Sequence, residues 1–411
     1  MKILNFGSCN VDYVYSVLSL VKVGEAIHSD SLGVFAGGKG LVQSIALSRA
    51  GAKVYHAGLV GGDGDFLIDV LSSNGVNVDL VKRVDGASGH AIIQRDIDGK
   101  NGIIVFKGTN GMVDKTFVDF VLDNFNKGDI ILLQNEISGI DYIIDGAYEK
   151  GLLIVLNPSP ITFDIKEIDL NKISYLIVNK KECERFFGSD NPQTVLERIK
   201  SSAKNLKVVL TLSADGSYYI DQNEILYCPA FKVKVVDTSA VGDAFTGYFV
   251  SEIALGKNSF DALKTASTAS ALTVQKTGSF VSIPSRLEVE KAKKELVSYP
   301  ISLRKYNQLK TLVIKYIEEN LANANVSDLS KILGYSEVYT SALVKRSLGD
   351  NFSTVLQKKR VLIASNLLKE TDLSISEIIR EVGYENESFF RKIFKRELGK
   401  YPLEYRKQFD K

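Results

Sequence analysis

Apolar positions in the first three hundred residues follow two alternating rhythms. Short unbroken apolar runs at 3–6, 54–59, 130–133, 152–156, 175–178 and 207–212 have the length and β-branched content of buried strands. Between them, 40–49, 65–73, 115–124, 140–150 and 192–203 repeat apolar residues at three- and four-residue intervals, the signature of helices with one buried face. This alternation predicts an α/β domain around a mostly parallel sheet flanked by helices. Two stretches break the rhythm, 12–35 and 88–106; both are β-rich, and the second carries an Asp98-Gly99-Lys100 turn. They predict a small β lid projecting from the main body, placed to cover a site or to meet another copy.

The pattern changes near residue 296, where Gly and Val become sparse. Residues 1–298 read as one domain, 299–305 as a linker, and 306–411 as an all-α domain. This last segment repeats itself. Ser327-Asp328-Leu329 through Gly334-Tyr335 recurs 49 residues later as Ser376-Glu377-Ile378 through Gly383-Tyr384. Lys345-Arg346-Ser347-Leu348-Gly349 returns after 50 as Lys395-Arg396-Glu397-Leu398-Gly399. Two helix-turn-helix units are expected, joined by a helix over 353–368.

Length and charge sharpen this division. The chain has 411 residues, 45% of them hydrophobic, enough for two cores. No apolar run approaches the ~20 residues of a membrane span, and the N-terminus enters a strand pattern at once, so a cytoplasmic protein with no membrane partner is expected. Three cysteines and three histidines, widely spaced, form neither a disulfide framework nor a zinc pattern, and His28, His56 and His90 read as structural. Residues 1–300 hold 31 basic against 35 acidic side chains, while 301–411 hold 20 against 14. The basic excess therefore belongs to the tail, the balance expected of a nucleic-acid partner there, although a plain bundle with solvated basic faces has it too.

Two glycine-bearing turns carry the candidate chemistry of the first domain. Gly37-Gly38-Lys39-Gly40 opens a helix, where backbone N–H groups lie free for an anion; alone, it fits a solvent loop equally well. Val236 to Phe245 leads from a strand through small residues into a helix with Asp243 in its first turn. The N–H groups of Ala240, Val241 and Gly242 would face a developing phosphate charge, and Asp243 would take a proton from an attacking alcohol. An acid merely favourable to the helix dipole accounts for Asp243, but not for the turn before it. No Walker A run occurs, which counts against a P-loop ATPase.

These blocks, with Gly7 to Asp12, Asn157-Pro158-Ser159-Pro160 and Asn179 to Glu182, resemble the ribokinase-like (phosphofructokinase-B) family of sugar kinases over 1–298. The resemblance implies a ribokinase-like sheet with a β lid, and ATP-dependent phosphorylation of a sugar or nucleoside hydroxyl with Mg²⁺ and K⁺. It assigns Asp243 as base and Ala240, Val241 and Gly242 as anion hole. Asn10, Asp12, Gly38, Lys39 and Glu136 would hold the sugar. Asn179, Glu182, Thr211, Ser213 and Gly216 would hold the nucleotide, Glu182 also acting indirectly on Mg²⁺. Asp237, Ser239 and Ser282 would bind the monovalent cation. Two positions depart from the family pattern. Val42 stands where ribokinases carry a ribose-binding Asn and can neither donate nor accept, which counts against ribose as such and leaves a deoxy-sugar, another pentose or a nucleoside, and Ser213 replaces a usual Gly.

Residues 306–411, ending in Gly399-Lys400-Tyr401-Pro402-Leu403-Glu404-Tyr405-Arg406, resemble the arabinose-regulator (AraC/XylS) DNA-binding domain. The resemblance implies double-stranded DNA as partner, with base-reading positions at Val338, Ser341 and Ala342, then at Ser388, Arg391 and Lys392. Lys345, Arg346 and Lys395 lie on the same two helices and suit phosphate contacts. Three readings follow: a sugar kinase that regulates genes, a transcription factor whose kinase fold only senses its ligand, and a kinase with a protein-interaction tail. A homodimer through the lid sheet would deliver two DNA-binding domains to paired half-sites.

Overall fold

The computed structural model describes residues 1–161, 168–203, 205–295, 301–333, 337–348 and 350–409. They divide into two compact units, Met1–Ser302 and Leu303–Lys411. The first unit opens with β1 (Ile3–Phe6), β2 (Asn10–Ser16), β3 (Ser31–Gly37), α1 (Lys39–Arg49), β4 (Val54–Val60), α2 (Asp65–Ser73) and β5 (Asn77–Arg83). Next come β6 (Gly89–Arg95), β7 (Asn101–Phe106), α3 (Lys115–Leu122), β8 (Ile130–Gln134), α4 (Ile140–Glu149) and β9 (Leu153–Asn157). After β10 (Tyr175–Asn179), α5 (Lys180–Phe187) and α6 (Pro192–Ser202) follow β11 (Lys207–Thr211), β12 (Ser217–Ile220) and β13 (Ile225–Cys228). It closes with α7 (Val241–Ala254), α8 (Ser259–Thr273), α9 (Arg286–Glu295) and the short β14 (Ile301–Ser302).

The main sheet has ten strands in the order β14-β13-β12-β11-β10-β9-β8-β1-β4-β5. Pairing is parallel from β11 through β5 and antiparallel from β11 to β14. β1, β8 and the first four residues of β10 are buried throughout, as expected of strands covered on both faces. The six apolar runs all form strands, with ends shifted by about one residue. Pattern reading missed β5, β12 and β13, whose polar and aromatic positions interrupt the apolar run. The expected linker 299–305 lies partly outside the described residues, and Ile301 and Ser302 pair with Tyr227 and Leu226 of β13. A free sheet edge recruits such a segment because its N–H and C=O groups otherwise lack partners.

The lid is a separate four-stranded sheet, β3-β2-β6-β7. β2 leaves directly from β1 and begins at Asn10, so the lid is rooted where the central strand ends. α7 packs on both α1 and α8. A Cβ on Gly247 would meet that of Ala46 at 2.4 Å, so only glycine lets α7 approach α1 this closely. Tyr248 is fully buried there and donates to the Pro284 carbonyl (2.7 Å), satisfying its hydroxyl.

The second unit is helical: α10 (Leu303–Glu319), α11 (Val326–Leu333), α12 (Glu337–Leu348), α13 (Phe352–Glu370), α14 (Ile375–Glu381), α15 (Glu387–Leu398) and α16 (Pro402–Arg406). It has two small cores. α13 supplies Phe352 and Leu356 to the first, around Tyr316, Leu329 and Val344. Its C-terminal half supplies Val361, Ala364 and Leu368 to the second, around Ile378, Phe390 and Phe394. The long joining helix is thus the shared spine of both helix-turn-helix motifs of this second unit. In the second unit, Gly383 makes the turn at φ 83°, and a Cβ there would lie 2.5 Å from Ala322 Cα. Its counterpart Gly334 lies outside the described residues.

Candidate functional site

The singled-out residues of the first unit cluster where the parallel strands end at their C-termini. Gly7 and Ser8 follow β1, Glu136 follows β8, and Asn157, Asn179 and Thr211 close β9, β10 and β11. Open α/β sheets place ligand sites at this edge, because loops there diverge and helix N-termini converge.

Asp243 lies in the first turn of α7 and is 7% exposed. Its Oδ1 accepts from Gln43 Nε2 (2.8 Å), and Lys39 Nζ stands 3.8 Å from the same oxygen. The mouth of α7 has no side-chain cap, and a Cβ on Gly242 would meet nothing within 4 Å. Among the described residues the N–H groups of Ala240 and Gly242 have no hydrogen-bond partner in the protein, whereas that of Val241 makes a long bond (3.4 Å) to the Thr238 carbonyl. The Asp243 carboxylate raises the Lys39 ammonium above its ordinary pKa, against the opposing effect of burial, and Glu136 and Glu182 add to it. Lys39 is held as a cation among three carboxylates.

The proposed sugar side is built around Asn10, Asp12, Gly38, Lys39 and Glu136. Glu136 Oε2 accepts from the Lys39 N–H (2.9 Å) and from the Ser8 hydroxyl. Asn10 is buried, its Oδ1 taken by Asn110 Nδ2 (2.7 Å), while Asn110 Oδ1 accepts from the Cys9 N–H. Burial, and then the Glu136 carboxylate, push Asp12 up to about 7. Close packing makes Gly37 and Gly38 necessary: a Cβ on Gly37 would sit 2.0 Å from Asp12 Oδ2, and Gly38 has φ 88°. Val42 is buried at 3% exposure, one turn into α1.

On the proposed nucleotide side, Asn179 and Glu182 form a capping box: Asn179 Oδ1 accepts from the Glu182 N–H and Glu182 Oε2 from the Asn179 N–H. The Asn-x-x-Glu spacing thus has a structural use, and it leaves Glu182 Oε1 and Asn179 Nδ2 outside that exchange. Thr211 Oγ1 donates to the Val178 carbonyl (3.3 Å). Ser213 has φ 51°, the one positive value at a non-glycine residue among the described residues, which explains why glycine suits this place. A Cβ on Gly216 would lie 2.3 Å from the Cys228 carbonyl oxygen. In the proposed cation loop, Asp237 Oδ1 accepts from the Ser239 N–H and hydroxyl, and Oδ2 from the Gly278 N–H. Ser282 Oγ instead donates to Ser279 in its own turn.

Apart from Asn157, which belongs to a block noted in the sequence, the residues beneath this site were assigned no role from the sequence. Gln43, Gln134, Asn5 and Ser44 are fully buried, and Asn157 is 9% exposed. They connect Asp243 to His56, which burial lowers to about 3, and to Cys9, which burial pushes up to about 12. The signal available in sequence was an amide at the end of an apolar strand, as in Ile130–Gln134.

In the second unit, Ser388 and Lys392 are exposed on α15. Arg391 pairs with Glu387 one turn back (3.2 Å), and Lys395 Nζ lies over the Tyr401 ring (4.3 Å). Ser341 and Lys345 are exposed on α12. The side chains of Val338, Ala342 and Arg346 lie outside the described residues. Among the described residues no helix is long and apolar enough to cross a membrane.

Comparison with known proteins places both units. Residues 1–286 match the pfkB family of carbohydrate kinases, and residues 329–408 match a helix-turn-helix domain. The ribokinase of Schizosaccharomyces pombe is 34% identical over 309 residues, covering 71% of this chain and 97% of its own. The deoxyribokinase of Salmonella typhi is 28% identical over 299 residues, covering 69% and 96%. The structure of Arabidopsis thaliana ribokinase complexed with ribose and ATP aligns with a TM-score of 0.64 at 28% identity, covering 71% of this chain and 98% of that one. The chain therefore belongs to the pfkB family of carbohydrate kinases, as a ribokinase-family sugar kinase domain fused to an AraC-type helix-turn-helix DNA-binding domain.

Proposed function

We propose that the first unit transfers the γ-phosphoryl group of ATP to a hydroxyl of a sugar or nucleoside, and that the second unit regulates transcription by binding double-stranded DNA. The observation that carries the kinase reading is Asp243: a buried carboxylate beside a lysine, at the uncapped mouth of α7. In this reading Asp243 takes the acceptor proton, while the N–H groups at Ala240, Val241 and Gly242 receive the charge spreading over the transferred group, that of Val241 exchanging its long bond to Thr238 for the phosphoryl oxygen. Phosphoryl transfer needs little else beyond positioning and neutralisation. Asn10, Asp12, Gly38, Lys39 and Glu136 orient the acceptor. Asn179, Glu182, Thr211, Ser213 and Gly216 take the nucleotide, with the remaining Glu182 oxygen suited to a water of Mg²⁺. Asp237, Ser239 and Ser282 are assigned to K⁺.

The buried, apolar Val42 supports a substrate other than ribose. A hydroxyl that meets valine loses a partner worth ~1–3 kcal/mol, so ribose itself is disfavoured. A deoxy-sugar, another pentose or a nucleoside fits. Exposed Leu32, Val34, Phe35, Ile104 and Phe106 support a homodimer through the lid. A cytoplasmic location agrees with both activities. One observation favours the alternative of sensing without turnover: Ser213 keeps strained backbone where the family uses glycine.

The test is ATP turnover by the full chain against pentoses, deoxypentoses, hexoses and nucleosides with Mg²⁺ and K⁺. Turnover on one of them, lost in Asp243→Ala, supports the kinase reading. Binding of a sugar without turnover supports the sensor.

A further inference from the structure

We infer that Gln43 is the positioning residue for Asp243: an oriented chain of buried amides presents only N–H to Asp243 Oδ1 and so reserves Oδ2 for the acceptor proton. The inference rests on the kinase reading for the role of Asp243, but the geometry behind it is independent of any substrate.

The orientation of each amide follows from groups that cannot reverse. Asn5 Nδ2 donates to the Gly40 carbonyl (2.7 Å), and a backbone carbonyl only accepts. Asn5 Oδ1 must then face Gln134, whose Nε2 donates to it (2.9 Å) and also to Gln43 Oε1 (2.7 Å). Gln134 keeps this orientation although its own Oε1 has no partner among the described residues. With Gln43 Oε1 occupied, its Nε2 points the other way, to Asp243 Oδ1 (2.8 Å) and Asn157 Oδ1 (2.9 Å). Asn157 is fixed in turn by the Ile177 carbonyl, which accepts from its Nδ2 (2.9 Å). Two backbone carbonyls, from α1 and β10, thus polarise a chain that runs from the core to the base.

A protonated Oδ1 would set O–H against N–H, so the chain keeps any added proton off this oxygen. The remaining charged groups are arranged further out. Lys39 stands 3.8 Å from Oδ1, Glu136 and Glu182 act on Lys39, and Asp12 faces Glu136. In the transfer step the acceptor oxygen bonds the γ-phosphorus, and the bond from that phosphorus to the bridging oxygen breaks with its electron pair leaving on ADP. The acceptor proton passes to Asp243 Oδ2.

The full chain labelled with ¹³C at aspartate carboxyls provides a test that does not need turnover. The resonance missing in Asp243→Asn is that of Asp243, and its titration midpoint is read in wild type, Gln43→Glu and Gln43→Met. Gln43→Glu sets a second carboxyl against Oδ1, and we expect the midpoint to rise by about one pH unit or more, a tenfold change in proton affinity. Gln43→Met, which only removes the donor, raises it less and serves alone if the Glu variant does not fold. The low-pH limb of kcat should move with the midpoint, with the nucleotide KM unchanged. A midpoint unmoved in a folded variant overturns the inference, whether or not wild type turns over. A midpoint that moves in a protein that phosphorylates nothing supports the positioning geometry and instead defeats the kinase reading.

Discussion

The two candidate sites of this protein are assembled in opposite ways. Around Asp243, Asn5, Lys39, Gln43, Gln134 and Asn157 come from four separate elements and are mostly buried, each held by hydrogen bonds or an ion pair across long stretches of chain. On α15, Ser388, Arg391, Lys392 and Lys395 come from one helix and are largely open to solvent, with partners no more than six residues away. A buried site gains precision because each polar group must find a partner or lose ~1–3 kcal/mol. An exposed helix face stays adaptable, since water satisfies whatever DNA does not. The difference predicts that damage to the first site is chemical and sharp, whereas damage to the second comes chiefly through the fold that presents its helix.

The largest effect should come from Asp243, the proposed base. Asp243→Asn is expected to lower kcat by about 10²–10⁴-fold while leaving DNA binding within twofold; steady-state kinetics beside a DNA-binding titration checks both. A loss of DNA binding in that variant would break the comparison. The converse change is Phe390→Ala. Phe390 is fully buried between Tyr384 and Phe394, so its removal should destabilise the second unit by ~3–5 kcal/mol and abolish DNA binding with turnover intact. Thermal unfolding followed alongside turnover separates the two units.

A smaller effect concerns pH. With Asp12 up to about 7, its carboxyl is protonated below that pH and ionised above it. Sugar hydroxyls donate to the ionised form, so the sugar KM should rise as pH falls through about 7, and Asp12→Asn should lose this dependence. The stability sign is opposite. The folded state holds the Asp12 proton to higher pH than the unfolded chain, so stability should fall as pH rises from about 4 to 7. Denaturant titrations at the two ends, flattened in Asp12→Asn, test this. Smallest is Ser213→Gly, which should relieve the φ 51° strain and stabilise the first unit by ~0.5–1 kcal/mol.

Much of this architecture was readable before the structure. Apolar runs such as Ile130–Gln134 announce strands because a strand buried on both faces has no room for polarity until it emerges. The repeated Gly-Tyr turns and Lys-Arg pairs announce two helix-turn-helix units because each is a local pattern, complete within a few tens of residues. Asn179 and Glu182, which the family resemblance assigned to the nucleotide, also cap the helix they open, a local use of the same side-chain oxygens that the sequence reading did not include.

What tertiary structure alone decided is non-local. The pairing of Ile301–Ser302 with β13, inside a segment that reads as linker, depends on a free sheet edge contributed from far along the chain. The shift of Asp12 to about 7 comes first from burial and then from Glu136, 124 positions away, and only the fold supplies either. The bond from Gln43 to Asp243 spans 200 residues, and its direction is set by carbonyls at Gly40 and Ile177. Sequence by itself determined most of the elements, the division into two units and the residue types able to do the chemistry, since these follow from periodicity and local hydrogen bonding. Which amide faces which oxygen was decided only in the folded core, where every buried donor competes for the few acceptors that packing brings within reach.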